Sequence, residues 1–187
     1  MIEQERYLEK LIHSRRTIHE FRTDVVPEKP LIKEAISLAC WAPNHHLTEP
    51  WHFYLLEKET IQSICELNRE MLIETKGKEA AENKYKRWME IPGWMVITCE
   101  KSDDEVLFME DFAACCCAVQ NMMLYLWAKG VGMKWSTGPV TRDERFYDLV
   151  WLNKDMQHVI GLFWYGYPAD IPQTIRKPVE QVITDLP

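Results

Sequence analysis

The chain has 187 residues, 47% hydrophobic and 27% charged, which is ordinary for one folded domain and excludes disorder as a description of the whole. With 22 Lys and Arg against 29 Asp and Glu the net charge is −7, so no basic face for nucleic acid is expected, although one anionic ligand could sit in a local basic pocket. No run reaches about 18 apolar residues, and the N-terminus is charged and amphipathic, so the reading is a cytoplasmic protein with neither a membrane span nor a signal peptide.

Tyr7, Leu8, Leu11 and Ile12 recur at helical spacing and predict a helix over residues 3–17. A loop with two prolines, 23–30, leads to a second helix over 31–42, striped by Leu31, Ile32, Ala35, Ile36 and Ala39. Pro43 and Pro50 bracket a polar loop, and the aromatic segment 51–57 reads as a strand. Helices are expected over 60–75 and 78–89, the latter strongly charged and exposed. Residues 94–99 form an apolar strand. The longest helix, 104–129, is nearly apolar all round from Phe112 to Ala128 and should be buried, with Gly130 as its stop. A strand over 132–137, a short helix over 142–150 and a strand over 158–167 follow. The last strand is apolar enough to be covered on both faces. Residues 168–187 carry four prolines and little periodicity, a tail that needs a surface to lie on.

Six cysteines suit a reducing compartment: Cys115, Cys116 and Cys117 are adjacent, and Cys40, Cys65 and Cys99 lie in apolar segments where free cysteine packs in cores. A catalytic thiolate needs an electropositive, accessible setting that the triple cysteine lacks. Eight tryptophans are unusual. Trp127, Trp151 and Trp164 lie in periodic apolar segments and read as core, whereas Trp41, Trp51 and Trp135 could border a flat ligand.

Four segments could carry chemistry. Arg15-Arg16-Thr17-Ile18-His19 offers guanidinium forks and a hydroxyl suited to phosphate, or simply cations complementing a helix C-terminus. Asn44-His45-His46-Leu47-Thr48-Glu49, fixed between prolines, is either a rigid edge reading a polar heterocycle or a surface loop. His45, His46 and His52 have no i, i+4 pairing that would support a metal. Trp135-Ser136-Thr137-Gly138 ends a strand with a flat ring and a glycine that lets backbone approach a ligand, or is a core tryptophan beside a turn. Arg176-Lys177 in the tail could complete a dianion site or be solvated. The glycine-built phosphate devices are missing: there is no Walker loop, and Gly130-x-Gly132 lacks the third glycine of a dinucleotide fingerprint.

In this order the segments resemble the FMN-dependent nitroreductase family across nearly the whole chain. The Arg-Arg-Thr element, the Ala-Pro to Pro-Trp-x-Phe loop, Gly130-Val131-Gly132, Trp135 to Gly138, Gly166-Tyr167-Pro168 and the Arg-Lys-Pro tail carry the likeness. Its small, compact NAD(P)H nitroreductase subgroup is the most similar. The resemblance implies a single α+β domain over 1–187, with a mixed, mainly antiparallel sheet flanked by helices. It implies an intertwined homodimer in which the long helix lies at the interface and the tail 168–187 extends onto the partner. It implies an FMN oxidoreductase taking hydride from NADH or NADPH, in ping-pong order, for a nitroaromatic, a quinone or a similar small acceptor, with no protein nucleophile and no metal. An FMN-binding storage or sensor protein without turnover is the alternative. Carried over by position, Arg15, Arg16, Thr17, Arg176 and Lys177 would hold the phosphate end. Asn44 and His45 would reach the flavin from the partner subunit, and Trp135, Ser136, Thr137 and Gly138 would flank the ring. His19 stands where many relatives have Arg or Lys.

Overall fold

The computed structural model describes residues 2–187. Helices α1 (Ile2–Ser14), α2 (Lys29–Ala39), α3 (Lys58–Lys76), α4 (Lys78–Met89), α5 (Glu105–Ala128) and α6 (Glu144–Leu149) surround strands β1 (Trp51–Leu55), β2 (Gly93–Glu100), β3 (Gly132–Ser136) and β4 (Gln157–Gly166). The strands form one sheet in the order β1-β2-β4-β3, and every pairing between them is antiparallel. Outside the named strands, Thr17 makes a single parallel bridge to Met133 at the β3 edge.

Two cores flank the sheet. Ala35, Met95, Cys115, Met122 and Phe163 belong to the side covered by α2 and α5. Ile64, Trp88, Trp94, Phe146 and Trp164 belong to the side covered by α3, α4 and α6. β4 sits between β2 and β3 and is buried from Val159 to Gly166, as its apolar run requires.

Most element ends lie within two residues of expectation, and the departures have physical causes. The first helix stops at Ser14, three residues early, because the chain turns extended to run beside β3: the Ile18 amide donates to the Met133 carbonyl at 3.0 Å. Gly132 permits that approach, since a Cβ there would lie 2.3 Å from Ile18. α2 starts at Lys29 because Pro30 suits a first turn, where no amide donor is needed. The short helix expected over 142–150 is α6, entered through a 3-10 turn, Pro139–Arg142, and started at Asp143, whose cap accepts from the Arg145 amide.

Burial corrects several readings. α4 is charged, yet Ala81 and Trp88 are buried against α3 and the sheet, so it is a packed helix. Trp151 is 94% exposed, at a positive φ of 54° just past α6, and is no core residue. Trp51 is buried at the start of β1, and Cys40 is exposed at the end of α2. α5 is long and apolar enough, by length and composition alone, to cross a bilayer. One side of it packs on α2 and the sheet, and its buried Asp111 accepts a hydrogen bond from Thr48. Its opposite side, including Val106, Met109 and Cys117, is exposed, so the helix is only half buried.

Candidate functional site

The departure of the chain from α1 builds the first half of the site. Ser14 Oγ accepts from the Trp127 indole at 2.9 Å, which pins the end of α1 to α5. Residues 15–19 then run along the β3 edge. Beyond β4 the tail returns to this strip: Phe21 bridges Pro168, and the Ala169 amide donates to the Glu20 carbonyl at 2.9 Å. The extended tail thereby lays Arg176 beside Arg15. A cavity of about 220 Å³ is lined by Arg15, Arg16, Thr17, His19, Thr174 and Arg176.

Among the described residues, no carboxylate lines this cavity. Burial first, then the nearby Arg176 and Arg16, push the Arg15 guanidinium below its ordinary value. Like charges gathered at partial burial are costly unless an anion sits among them. Arg16 is partly committed already, because its Nη1 donates to the His13 and Arg15 carbonyls at 2.7 and 2.9 Å. Arg15 and Arg176 are therefore the freer forks, well suited to bidentate contact with a phosphate. Lys177 is exposed and does not line the cavity.

A second cavity, about 340 Å³, meets the first at His19. Ser136, Gly138 and Lys134 enter it from β3 and the turn beyond, and Lys84 and Arg87 enter it from α4. Asn68 and Asn83 add amides from α3 and α4. Of these, only His19, Ser136 and Gly138 are among the sequence candidates. The others were legible in part. Ala81, Lys84 and Trp88 recur on one face of α4, and side chains two apart on a strand share a face, so Lys134 goes where Ser136 goes.

The remaining candidates lie elsewhere. Trp135 turns to the opposite sheet face: its indole donates to the Ile160 carbonyl at 2.9 Å, and the ring packs on Phe163 with centroids 5.2 Å apart. Gly161 accommodates it, since a Cβ there would lie 2.3 Å from the indole nitrogen. The Thr137 side chain is exposed, and its carbonyl accepts from Arg142 at 2.7 Å. Asn44 closes its own loop, donating to Thr48 Oγ1 at 3.0 Å and accepting from the Glu49 amide at 2.7 Å. His46, Leu47 and Glu49 adopt positive φ there, so the loop is a strained, side-chain-fastened turn rather than a slack one. His45 is exposed against the His46 ring. Among the described residues, Asn44 and His45 line neither cavity.

Cys115 and Cys65 are packing residues in this arrangement. A hydrogen bond to Cys99 and burial push the Cys115 thiol far up, and burial pushes Cys65 to about 12. Both resist ionisation, which suits packing and not nucleophilic attack.

The sequence model described as the nitroreductase family matches residues 12–167 of the chain. A Bacillus subtilis (strain 168) protein named as a candidate NAD(P)H nitroreductase, YfhC, is 29% identical over 99% of this chain and 97% of its own. A nitroreductase-like family protein from Bacillus cereus superposes with a TM-score of 0.83 at 26% identity, covering 96% of this chain and 95% of that one. A Desulfovibrio desulfuricans protein, solved in complex with FMN, shares the fold at a TM-score of 0.74 and 18% identity, with 96% of each chain covered.

Proposed function

Since the chain belongs to the nitroreductase family and is by that membership an oxidoreductase, we propose that it is FMN-dependent and passes hydride from NADH or NADPH to a small-molecule acceptor. The observation that carries this reading is the pair of carboxylate-free cavities joined at His19, one set with Arg15 and Arg176, the other walled by amides, cations and the Ser136–Gly138 turn. A dianionic phosphate end and an acceptor-rich ring edge are the two complements of that donor set. FMN, when bound, supplies the two-electron chemistry, with reductant and acceptor taking turns in ping-pong order.

The protein's own residues bind and orient. Arg15 and Arg176, with the Thr17 hydroxyl, would hold the phosphate. His19 lines both cavities, and the turn at Ser136 to Gly138 would help hold the ring. No protein nucleophile is required. A nitroaromatic, a quinone or a similar acceptor fits this scheme. A storage or sensor protein would rest on tryptophans crowding the ring. Trp51 is buried and Trp135 packs on the opposite sheet face, which leaves Trp41, exposed just beyond α2, as the one to crowd it.

The working unit in this reading is a homodimer. Asn44 and His45 share no cavity with Arg15 or Ser136 within the chain, while Val106 and Met109 on α5, Leu8 and Ile12 on α1, and Ile175 and Leu186 in the tail are exposed. A second copy would cover these faces and bring its Asn44 loop to the site.

The test begins with an absorbance spectrum of the purified protein, then anaerobic addition of NADH or NADPH. The flavin band should appear and then bleach. A yellow protein that bleaches with neither nucleotide would exclude the oxidoreductase mechanism. Arg15→Ala with Arg176→Ala should release most FMN, since two charge-assisted contacts of about 1.5–3 kcal/mol each are lost. Stoichiometric flavin in that double variant would mean that the phosphate lies elsewhere.

A further inference from the structure

The inner wall of the 340 Å³ cavity gathers cations, an aromatic pair and buried donors in one place. Lys134 on β3 pairs in register with Trp164 on β4, and its ammonium lies 4.7 Å from the centre of the Trp164 ring. Lys84 on α4 lies 4.9 Å from the centre of the Trp88 ring. The two indoles meet edge to face, with centroids 5.0 Å apart, so two ammonium groups converge over one aromatic pair. Arg87 adds a third cation to the lining, and no Asp or Glu contributes to it. Among the described residues, none of the three has a carboxylate at ion-pair distance.

Two further lining groups are unsatisfied donors. Asn68 and Trp164 are each 5% exposed, and among the described residues neither Asn68 Nδ2 nor Trp164 Nε1 has a hydrogen-bond partner. Buried donors are nearly always paired, so two orphans in one wall call for an acceptor that the chain itself does not provide. The cations are under the same tension. Burial, then the neighbouring cations, push both Lys134 and Lys84 below the ordinary lysine value. An anion placed among them would relieve the repulsion and satisfy the orphaned N–H groups together.

We propose that this inner wall is an oxyanion subsite, taking the carboxylate or phosphate group of a ligand that enters past Ser136 and Gly138. Lys84 and Lys134 supply the charge, and Asn68 and Trp164 supply neutral donors. The subsite deepens the FMN reading and rests on it for the identity of the adjoining pocket. It favours reductants or acceptors that carry an anionic group over neutral ones of the same size. Arg87 also lines a neighbouring cavity with Glu20 and Glu90, so its charge is shared and Lys134 is the cleaner probe.

The experiment is calorimetric titration of the full-length protein, as purified, with inorganic phosphate and with benzoate, in wild type, Lys134→Met and Lys134→Arg. Saturable binding of either anion to the flavin-loaded wild type, weakened at least tenfold in Lys134→Met and restored in Lys134→Arg, upholds the subsite and assigns it to a second ligand. Absence of anion binding to the loaded wild type would overturn the subsite, and FMN held at least tenfold more weakly by Lys134→Met would then place Lys134 among the groups that hold the flavin. A colourless protein that still binds phosphate through Lys134 would sink the flavin reading while leaving the subsite standing. Equal anion and FMN affinities in wild type and Lys134→Met would overturn the proposal. Thermal unfolding without added anion controls for the fold: Lys134→Met should melt no lower than wild type, because a partly desolvated cation has been removed.

Discussion

His158 illustrates how a single side chain couples burial to pH. It sits edge-on to Phe108 and Phe112, with ring centroids at 5.5 and 5.8 Å. Burial first, and then Lys101, lower its pKa from the ordinary 6.5. Between that lowered value and 6.5 the unfolded chain binds a proton that the native protein does not, so stability falls as pH drops through this window and is fully present above it. His158→Phe keeps the aromatic cluster and removes the titration. The melting temperature of wild type should therefore drop more between pH 7.5 and pH 5 than that of the variant. Parallel drops would show that His158 is not the group responsible. The tryptophans make the complementary point. Composition marked them as unusual, but identity and spacing did not sort them, since Trp151 lies in a periodic segment and is exposed whereas Trp51 borders a polar loop and is buried.

Among the elements, the loop between α2 and β1 depends on α5. Thr48 Oγ1 donates to the buried Asp111 carboxylate, and Asn44 braces the turn from within. Three residues of this loop hold positive φ, so the fastening must offset backbone strain. Asp111→Ala should cost about 1.5–3 kcal/mol, the usual loss for a hydrogen bond to a charged group. Hydrogen exchange should rise in residues 44–49 more than in α3. Uniform exchange across both would mean that Asp111 serves the core and not the loop. α4 carries the other lesson at this scale. Its charge made it look like a solvated helix, yet one face delivers Trp88 to the core and Lys84 to the cavity. A helix can be polar in composition and still be built around a buried stripe.

At the scale of the whole molecule, apolar surface remains on α1, on the outer side of α5 and along the tail. In the homodimer we propose, this exposed apolar surface would lie at the interface. Met109→Glu with Val106→Glu should shift the protein from dimer to monomer in analytical ultracentrifugation and lower its flavin content, because each site would lose the partner's Asn44 loop. A wild type that sediments as a monomer at micromolar concentration would exclude the dimer reading. The amino-acid sequence by itself determined the number, type and order of the elements, because hydrophobic period, caps and prolines act over a few neighbouring residues. It also marked the Arg15 strip, the Ser136–Gly138 turn and the basic tail as separate segments. Only the tertiary structure decided which of them converge. Arg15 meets Arg176 because the chain pairs with β3 after α1 and the tail folds back along it. Lys134 joins Lys84 because β3 alternation and α4 packing bring them over one pair of indoles. Those contacts join residues from about fifty to more than a hundred and fifty positions apart, and no local spacing encodes them.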